Sequence, residues 1–548
     1  MINEIIINFI CNKGRLDREV PVLLAHCKYD TNYSKYNPLS RPFQKNSFLP
    51  KINSRTSPKM EKHILSKSTF IKGCQCTKAL YLSKNNRGLR EEPDAALQAI
   101  FTQGKKVGEL AHQLFPGGLD CTPLSVFNFQ EAVLRTREEI AKGAKVIYEA
   151  AFQFDGVLAA LDILVKDRSG WKAYEVKSST SVSETYELDA TIQYFAITNS
   201  RIALKDISIV HINNQYEKNG AIDVHELFTI TSVKERVQEL LPEIPAKVAE
   251  LKAVLNKKKI PDVDIGPHCS SPYACDFAGH CWQHIPNYSV FNIARLTETK
   301  KFDLYKKNVI NFIDIPEGYP LNESQWMQVN SELNNTTTID KKKIKEFVKE
   351  LQYPLYFMDF ETFATAVPVF DKSKPYQQLV FQYSLHILPS AKGKLQHKEF
   401  LAETNGKDPR ILFIEKLIND CGITGDILVY NIGFERGKLS ELASSFPKYK
   451  VGINKVIARL KDLMIPFQQR WYYTPSMQGS YSIKKVLPAL VPELSYGNLN
   501  IQEGGTASNV FAAMVMGEYT GDVEQTRKDL LEYCGMDTLA MVEIVKKL

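Results

Sequence analysis

The chain has 548 residues, 44% hydrophobic and 10% aromatic, which is too long for one ordinary domain and too apolar for wholesale disorder. A net charge of +7 suits a polyanionic partner without demanding one. No run of about 18 apolar residues is present, so no membrane span is expected.

The opening MINEIIINFIC is too short in its apolar part, and too acidic before it, for a signal peptide. A cytoplasmic protein is therefore expected, whose ten cysteines would not form structural disulfides. After Cys11, residues 1–59 turn Lys/Asn/Ser/Pro-rich with neither a helical nor a strand period, which reads as a disordered leader. Met60 opens MEKHILSKSTF, a natural start for a folded unit. The leader is then either not translated natively or a flexible arm.

Residues 60–285 mix helix and strand patterns. ALQAIFTQGKKVGELAHQLF (96–115) has helical spacing, LAALDILVK and WKAYEVKSS alternate as strands, and LDATIQYFAI returns to a helix. Residues 286–350 carry helical stretches broken by IPEGYPLN and a polar linker, SELNNTTTIDKKK. Residues 351–548 form a second α/β unit closing with the amphipathic helix DVEQTRKDLLEYCGMDTLAMVEIVKKL.

Within the first unit, LDILVKDRSGWKAYEVK predicts a β-hairpin turning at Asp167–Gly170. Lys166 then faces Trp171, Asp162 falls opposite Glu175, and Lys177 projects from the same face as Glu175. Two carboxylates can hold a divalent cation, and a neighbouring lysine can orient water or offset phosphate charge. A solvated hairpin face with an incidental salt bridge is the competing reading. Upstream, Glu109 and His112 stand three apart on a helical pattern, and His112 is a further candidate ligand. Downstream, Gln193 and Tyr194 follow on the next helix. The ordered series of His112, Asp162, Glu175-x-Lys177 and Gln193-Tyr194 resembles the RecB-like branch of the PD-(D/E)XK nucleases over about residues 66–284. That resemblance implies His112, Asp162, Glu175 and the Val176 carbonyl as metal ligands, with Lys177 as the catalytic lysine.

HCSSPYACDFAGHCW places Cys269, Cys275 and Cys281 with five residues between each and the next, and GCQCTKALYL supplies Cys74 and Cys76 far upstream. Cysteines clustered in a reducing compartment suggest zinc or an iron–sulfur cluster, whereas Cys11, Cys27, Cys121, Cys421 and Cys534 read as small buried residues. The arrangement resembles the iron–sulfur-clasped RecB/AddB-type nucleases, with one cysteine before the nuclease core and three after it. CTKALYL matches that family's CPKxLWL from Cys76, Thr77 replacing the proline. The implied set is Cys76, Cys269, Cys275 and Cys281 around a 4Fe–4S cluster. Zinc is the alternative, with His268, His280 and His284 as spare ligands.

In the second unit, YFMDFETF (356–363) is a strand that would normally exclude charge, yet Asp359 and Glu361 share one of its faces. LVYNIGFERGKL (428–439) turns at Asn431–Gly433 into a helix bearing Glu435. Tyr533 and Asp537 lie four apart on the last helix. Carboxylates converging from such elements need cations, and two Mg²⁺ or Mn²⁺ ions about 4 Å apart would satisfy them. An ordinary surface charge remains an alternative for Glu435 alone. These elements resemble the DnaQ-like 3′–5′ exonucleases of the DEDDy type, with the RNase H-like fold, and YSIKKVLPAL (481–490) looks like their Ser-Leu-Lys helix entry. The resemblance implies Asp359, Glu361, Glu435 and Asp537 as metal ligands and Tyr533 as a catalytic residue positioning water. Glu435 departs from the usual aspartate. Asp462 is a nearby acid without an assigned role.

From about residue 60 onward the chain resembles a bacterial family, known mainly as an uncharacterised fusion, pairing the two nuclease types. The expectation is a two-site metal-dependent deoxyribonuclease acting on single-stranded DNA or DNA ends in repair or defence. Gln193, Tyr194, Asn431 and Lys484 would contact the nucleic acid. RNA is an alternative substrate, and a non-catalytic DNA-binding N-terminal module an alternative role for the first unit. No GxxxxGK[ST] is present, so any unwinding would need a helicase partner.

Overall fold

The computed structural model describes residues 64–548 except 124, 126 and 127. The expected leader, the Met60 start, Cys11 and Cys27 lie outside the described residues. The described chain is mixed α/β, with two principal sheets.

The first sheet comprises β1 (Leu65–Ser66), β2 (Leu119–Asp120), β3 (Val146–Phe154), β4 (Val157–Asp167), β5 (Gly170–Lys177), β6 (Leu204–Ile212) and β7 (Phe228–Ser232). Their order is β2-β3-β4-β5-β6-β7, with β1 beside β4. Asp167 accepts from the backbone and hydroxyl of Ser169, which tightens the β4–β5 turn. The register pairs Lys166 with Trp171 as the sequence predicts; Asp167 also pairs with Gly170, so the loop is shorter without any slip. Strand β6 runs parallel to β5, which requires a crossover, and helix α1 (Glu184–Asn199) makes it. Successive strand residues feed opposite apolar layers: Ala173 and Ile209 enter one, Tyr174 and Val210 the other.

The connector does not end in a loose polar linker. SELN completes the helix Glu323–Asn334, Asn335 caps it in the left-handed conformation, and Thr338–Ile339 forms β8. Backbone pairing overrides polarity here, because β8 finds a partner in Tyr472–Tyr473.

The second sheet is built from β9 (Leu355–Phe363), β10 (Leu379–Leu388), β11 (Gln396–Leu401), β12 (Ile427–Val429) and β13 (Leu460–Asp462). Its order is β11-β10-β9-β12-β13. The first three strands are antiparallel, and β9, β12 and β13 are parallel. Helix α2 (Ile432–Ser445) follows β12, and helix α3 (Val523–Lys547) packs across β9 and β10.

The halves interlock through the connection between β9 and β10. Ala366 is fully buried in an apolar cluster with Val107, Ala111 and Tyr148 of the first half, and Tyr376 packs against it. Lys218 pairs with Asp371 at 2.7 Å, Lys106 pairs with Glu518, and the Tyr376 hydroxyl donates to the Ser178 carbonyl. No helix among the described residues is long and apolar enough to cross a membrane.

Candidate functional site

The hairpin brings Asp162, Glu175 and Lys177 together. Asp162 Oδ2 accepts from the Val176 amide at 2.6 Å. Glu175 is 2% exposed, and its Oε1 accepts from Lys177 Nζ at 2.8 Å and Lys67 Nζ at 2.7 Å. Lys177 also donates to Asp189 Oδ2 at 2.6 Å. Burial and the neighbouring Glu175 push the Asp162 carboxyl up to about 8. Burial would raise Glu175 too, but Lys177 and Lys67 outweigh it and hold it well below the ordinary carboxylate range. The other oxygen of Glu175, Oε2, is buried without a hydrogen-bond partner. Such an orphaned acceptor is costly unless a cation or water meets it, so this pair fits a metal.

Three residues here were not foreseen. Lys67 follows β1 directly, and Asp189 lies one turn before Gln193 on α1. Glu149 falls opposite Asp162 at a one-pair gap in the β3–β4 ladder, whose register is unshifted from Tyr148–Ile163 to Ala150–Leu161, and its φ is +53°. Burial raises the Glu149 carboxyl, and Glu175 acts in the same sense against Lys67. An acid inside the apolar run VIYEAAF was a readable signal for Glu149; Lys67 offered none.

Gln193 is fully buried, with its amide 3.5 Å from Asp189 and its Oε1 unpartnered. Tyr194 instead packs, half-buried, against the apolar layer under α1. The α-helix before His112 ends at Ala111, the His112 ring stacks on Tyr148 at 3.9 Å, and burial lowers its basicity against the pull of Asp120 and Glu109.

The second constellation is tighter. Ligand atoms of Asp359, Glu361 and Asp537 all lie within 4.8 Å of one another, the one such acidic or thiol/imidazole group among the described residues, and this cluster could hold a metal ion. Strand β9 supplies the first two and α3 the third. Burial raises all three, and the charge of neighbouring acids adds to it at Asp359 and Glu361: Asp359 goes far up, Glu361 to about 8 and Asp537 to about 6. Glu435, in the first turn of α2, lies outside that tight group but contributes to the Asp359 shift. Burial and Asp462 push Glu435 up to about 8, and its Oε2 has no hydrogen-bond partner.

The lysine at hand is Lys484. Its ammonium lies 5.3 Å from the Tyr533 ring and 5.7 Å from the Tyr496 ring, and it draws Glu361 and Asp537 down. Tyr496, which no sequence pattern marked, donates to Asp537 Oδ1 at 2.7 Å, and Tyr533 also hydrogen-bonds Asp537. Asp462 gains a role as a cap: its carboxylate accepts from the amides of Asn431, Ile432 and Met464, fixing the turn that aims α2. Asn431 itself is exposed at φ +83°. Cys534 is buried as expected, and its thiol also faces Asp359 at 3.8 Å.

The cysteine loop docks on the N-terminal helices. Asp276 pairs with Lys72 at 2.7 Å and Arg90 at 2.6 Å, and Gln75 donates to the carbonyls of His268 and Tyr273 at 2.7 Å each. Cys76 and Cys269 both act on the thiols of Cys275 and Cys281, which burial raises. Cys74 faces Lys247 and Glu250 instead. His284 is engaged by the Tyr305 hydroxyl at 2.9 Å.

Residues 356–482, which include Asp359, Glu361 and Glu435 but not Asp537, match a family described as a domain of unknown function, DUF2779. The chain is 30% identical over 219 residues to an uncharacterized protein, MG366 homolog, of Mycoplasma pneumoniae, covering 37% of this chain and 33% of the relative. It is 28% identical over 305 residues to uncharacterized protein UU173 of Ureaplasma parvum, covering 49% and 42%. It is 27% identical over 224 residues to uncharacterized protein MG366 of Mycoplasma genitalium, covering 37% and 33%. The matches thus span well under two thirds of each relative's own length.

Proposed function

We propose that the chain is a metal-dependent nuclease with two active sites, hydrolysing phosphodiesters of single-stranded DNA or DNA ends. The observation that carries this reading is the packing of Asp359, Glu361 and Asp537 within 4.8 Å, with Glu435 nearby and Lys484 as the attending cation. Several buried acids with so little opposing charge are stable only as proton or cation binders. When bound there, Mg²⁺ or Mn²⁺ lowers the pKa of water and offsets charge on a phosphodiester's leaving oxygen. Tyr533 and Tyr496 hold Asp537 in place, and the Tyr533 hydroxyl is the group offered to an attacking water. Lys484 offsets phosphate charge beside the cluster.

The strand order β11-β10-β9-β12-β13, three antiparallel strands followed by parallel ones, supports an RNase H-like, DnaQ-type reading of the C-terminal half. The first sheet, with its acidic hairpin and crossover helix, supports a PD-(D/E)XK reading. There Asp162 and Glu175 would hold a cation, with Glu149 beside them. Lys177, steadied by Asp189, would keep its proton and orient water. His112 is proposed as a further ligand, although its ring is engaged by Tyr148.

Cys76, Cys269, Cys275 and Cys281 would hold a 4Fe–4S cluster. Four thiolates also suit a single tetrahedral zinc, which is the alternative for the same residues.

The test is incubation of the anaerobically purified chain with single-stranded DNA in Mn²⁺ or in EDTA. Cleavage in Mn²⁺ alone, diminished in Asp359→Asn, is expected. Intact DNA beside degraded RNA of matched sequence would move the substrate to RNA, and neither being cut would defeat the reading.

A further inference from the structure

A cleft of about 850 Å³ opens between the two halves. One wall is Ser178–Ser181, the residues directly after Lys177, together with Tyr186. The other is Lys374–Gln378, from the connection that begins just past Glu361, and Lys438 of α2 contributes beside it. Lys438 stands three residues after Glu435, on the same side of that helix. The cleft therefore touches elements that carry both candidate centres.

Its chemistry is that of a polymer seat rather than an apolar ligand pocket. Among the described residues no carboxylate pairs with half-buried Lys374, while Lys438 is paired with Glu441 at 2.7 Å. Tyr186 lies with its ring 5.2 Å from the Lys177 ammonium. Tyr376 is held at φ +59°, a conformation that bulky residues seldom adopt. Its hydroxyl, donating to the Ser178 carbonyl, joins the two walls. Serine and threonine hydroxyls, Asn214, the Gln377 and Gln378 amides and the Glu441 carboxylate, which Lys438 neutralises, supply the remaining polar surface.

We propose that this cleft seats a segment of single-stranded DNA passing between the two centres, with Lys374 on a phosphate and Tyr186 offering a stacking face. Open polar grooves with a cation and aromatic rings hold single strands in this way. The proposal deepens the two-site nuclease reading and rests on it for the identity of the polymer. Its consequence is that one strand serves both centres.

The test measures binding separately from cleavage. The full chain in EDTA is titrated into end-labelled oligo(dT) and oligo(U) and followed by fluorescence anisotropy. Lys374→Glu is expected to weaken oligo(dT) binding at least about 10-fold and to flatten its salt dependence, while Lys374→Arg binds as the parent does. Both variants should keep the parent's melting temperature. Photocrosslinking with 4-thiothymidine DNA should label peptides from both 178–186 and 374–378. Unchanged affinity in Lys374→Glu, or crosslinks on other surfaces alone, would overturn the cleft assignment even if DNA is cut. Preference for oligo(U) through Lys374 would overturn the choice of DNA. Crosslinks on both walls without any cleavage in Mn²⁺ would support the seat and defeat the nuclease reading.

Discussion

Asp359, Glu361, Glu435 and Asp537 hold their protons more tightly than free carboxyls, chiefly because burial penalises ionisation, with repulsion from neighbouring acids added at Asp359, Glu361 and Glu435. In the unfolded chain Glu361 and Glu435 would ionise near 4.5; folded, each does so at about 8. Between those values the folded state binds more protons, so stability is greatest below about pH 4.5 for these groups and is lost as pH rises toward 8. Glu175 is shifted the other way, and its contribution is lost only as pH falls below the same ordinary range. In EDTA the melting temperature should therefore fall between pH 5 and pH 8, and Mn²⁺ should restore it most at pH 8. Glu361→Gln should flatten that slope in a differential scan. Glu435→Gln replaces a buried carboxyl that must hold a proton or meet a cation, so the metal-free protein should melt no lower than the parent, while removal of 3′ nucleotides falls at least about 100-fold. At 2% exposure Glu435 is no surface charge, and an unchanged rate would mean that it holds no metal. Acids inside apolar strands were legible in the sequence, because little but metal or proton binding explains them there. Lys67 and Tyr496 were not, since their partners lie far along the chain and nothing local marks them.

At the scale of elements, the β4–β5 hairpin and the last helix could be read directly, because a turn fixes strand register and Tyr533 and Asp537 lie one helical turn apart. The connector could not: its threonines look like linker until β8 meets Tyr472 and Tyr473. The helical pattern over 96–115 is met by an α-helix to Ala111 that tightens into a 3₁₀ turn over His112–Leu114, where the His112 ring lies on Tyr148. The proposed cysteine clasp would join positions about 200 residues apart, and closing so long a loop would remove roughly 5 kcal/mol of unfolded-state entropy in the chain-entropy model. Cys76→Ser should abolish iron and acid-labile sulfide in anaerobically purified protein and lower its melting temperature by several degrees. Cys74→Ser, beside Lys247 and Glu250, should retain both. Zinc in place of iron by elemental analysis would reassign the clasp while leaving its ligands as stated.

At the scale of the whole molecule, the two halves share an apolar cluster at Ala366 and a hydrogen bond from Tyr376 to the residue after Lys177. No pattern in the sequence announced this contact, because the connection between β9 and β10 reads simply as a loop. It puts the two centres in one body, and the central claim is that both cut. The most direct test digests 3′- and 5′-labelled single-stranded DNA with the parent chain, Asp359→Ala, Lys177→Ala and the double variant in Mn²⁺. Each single variant should lose a different set of products, with stepwise 3′ shortening absent from Asp359→Ala, and the double variant should leave DNA intact. A parent digest unchanged in either single variant would contradict the account of that site.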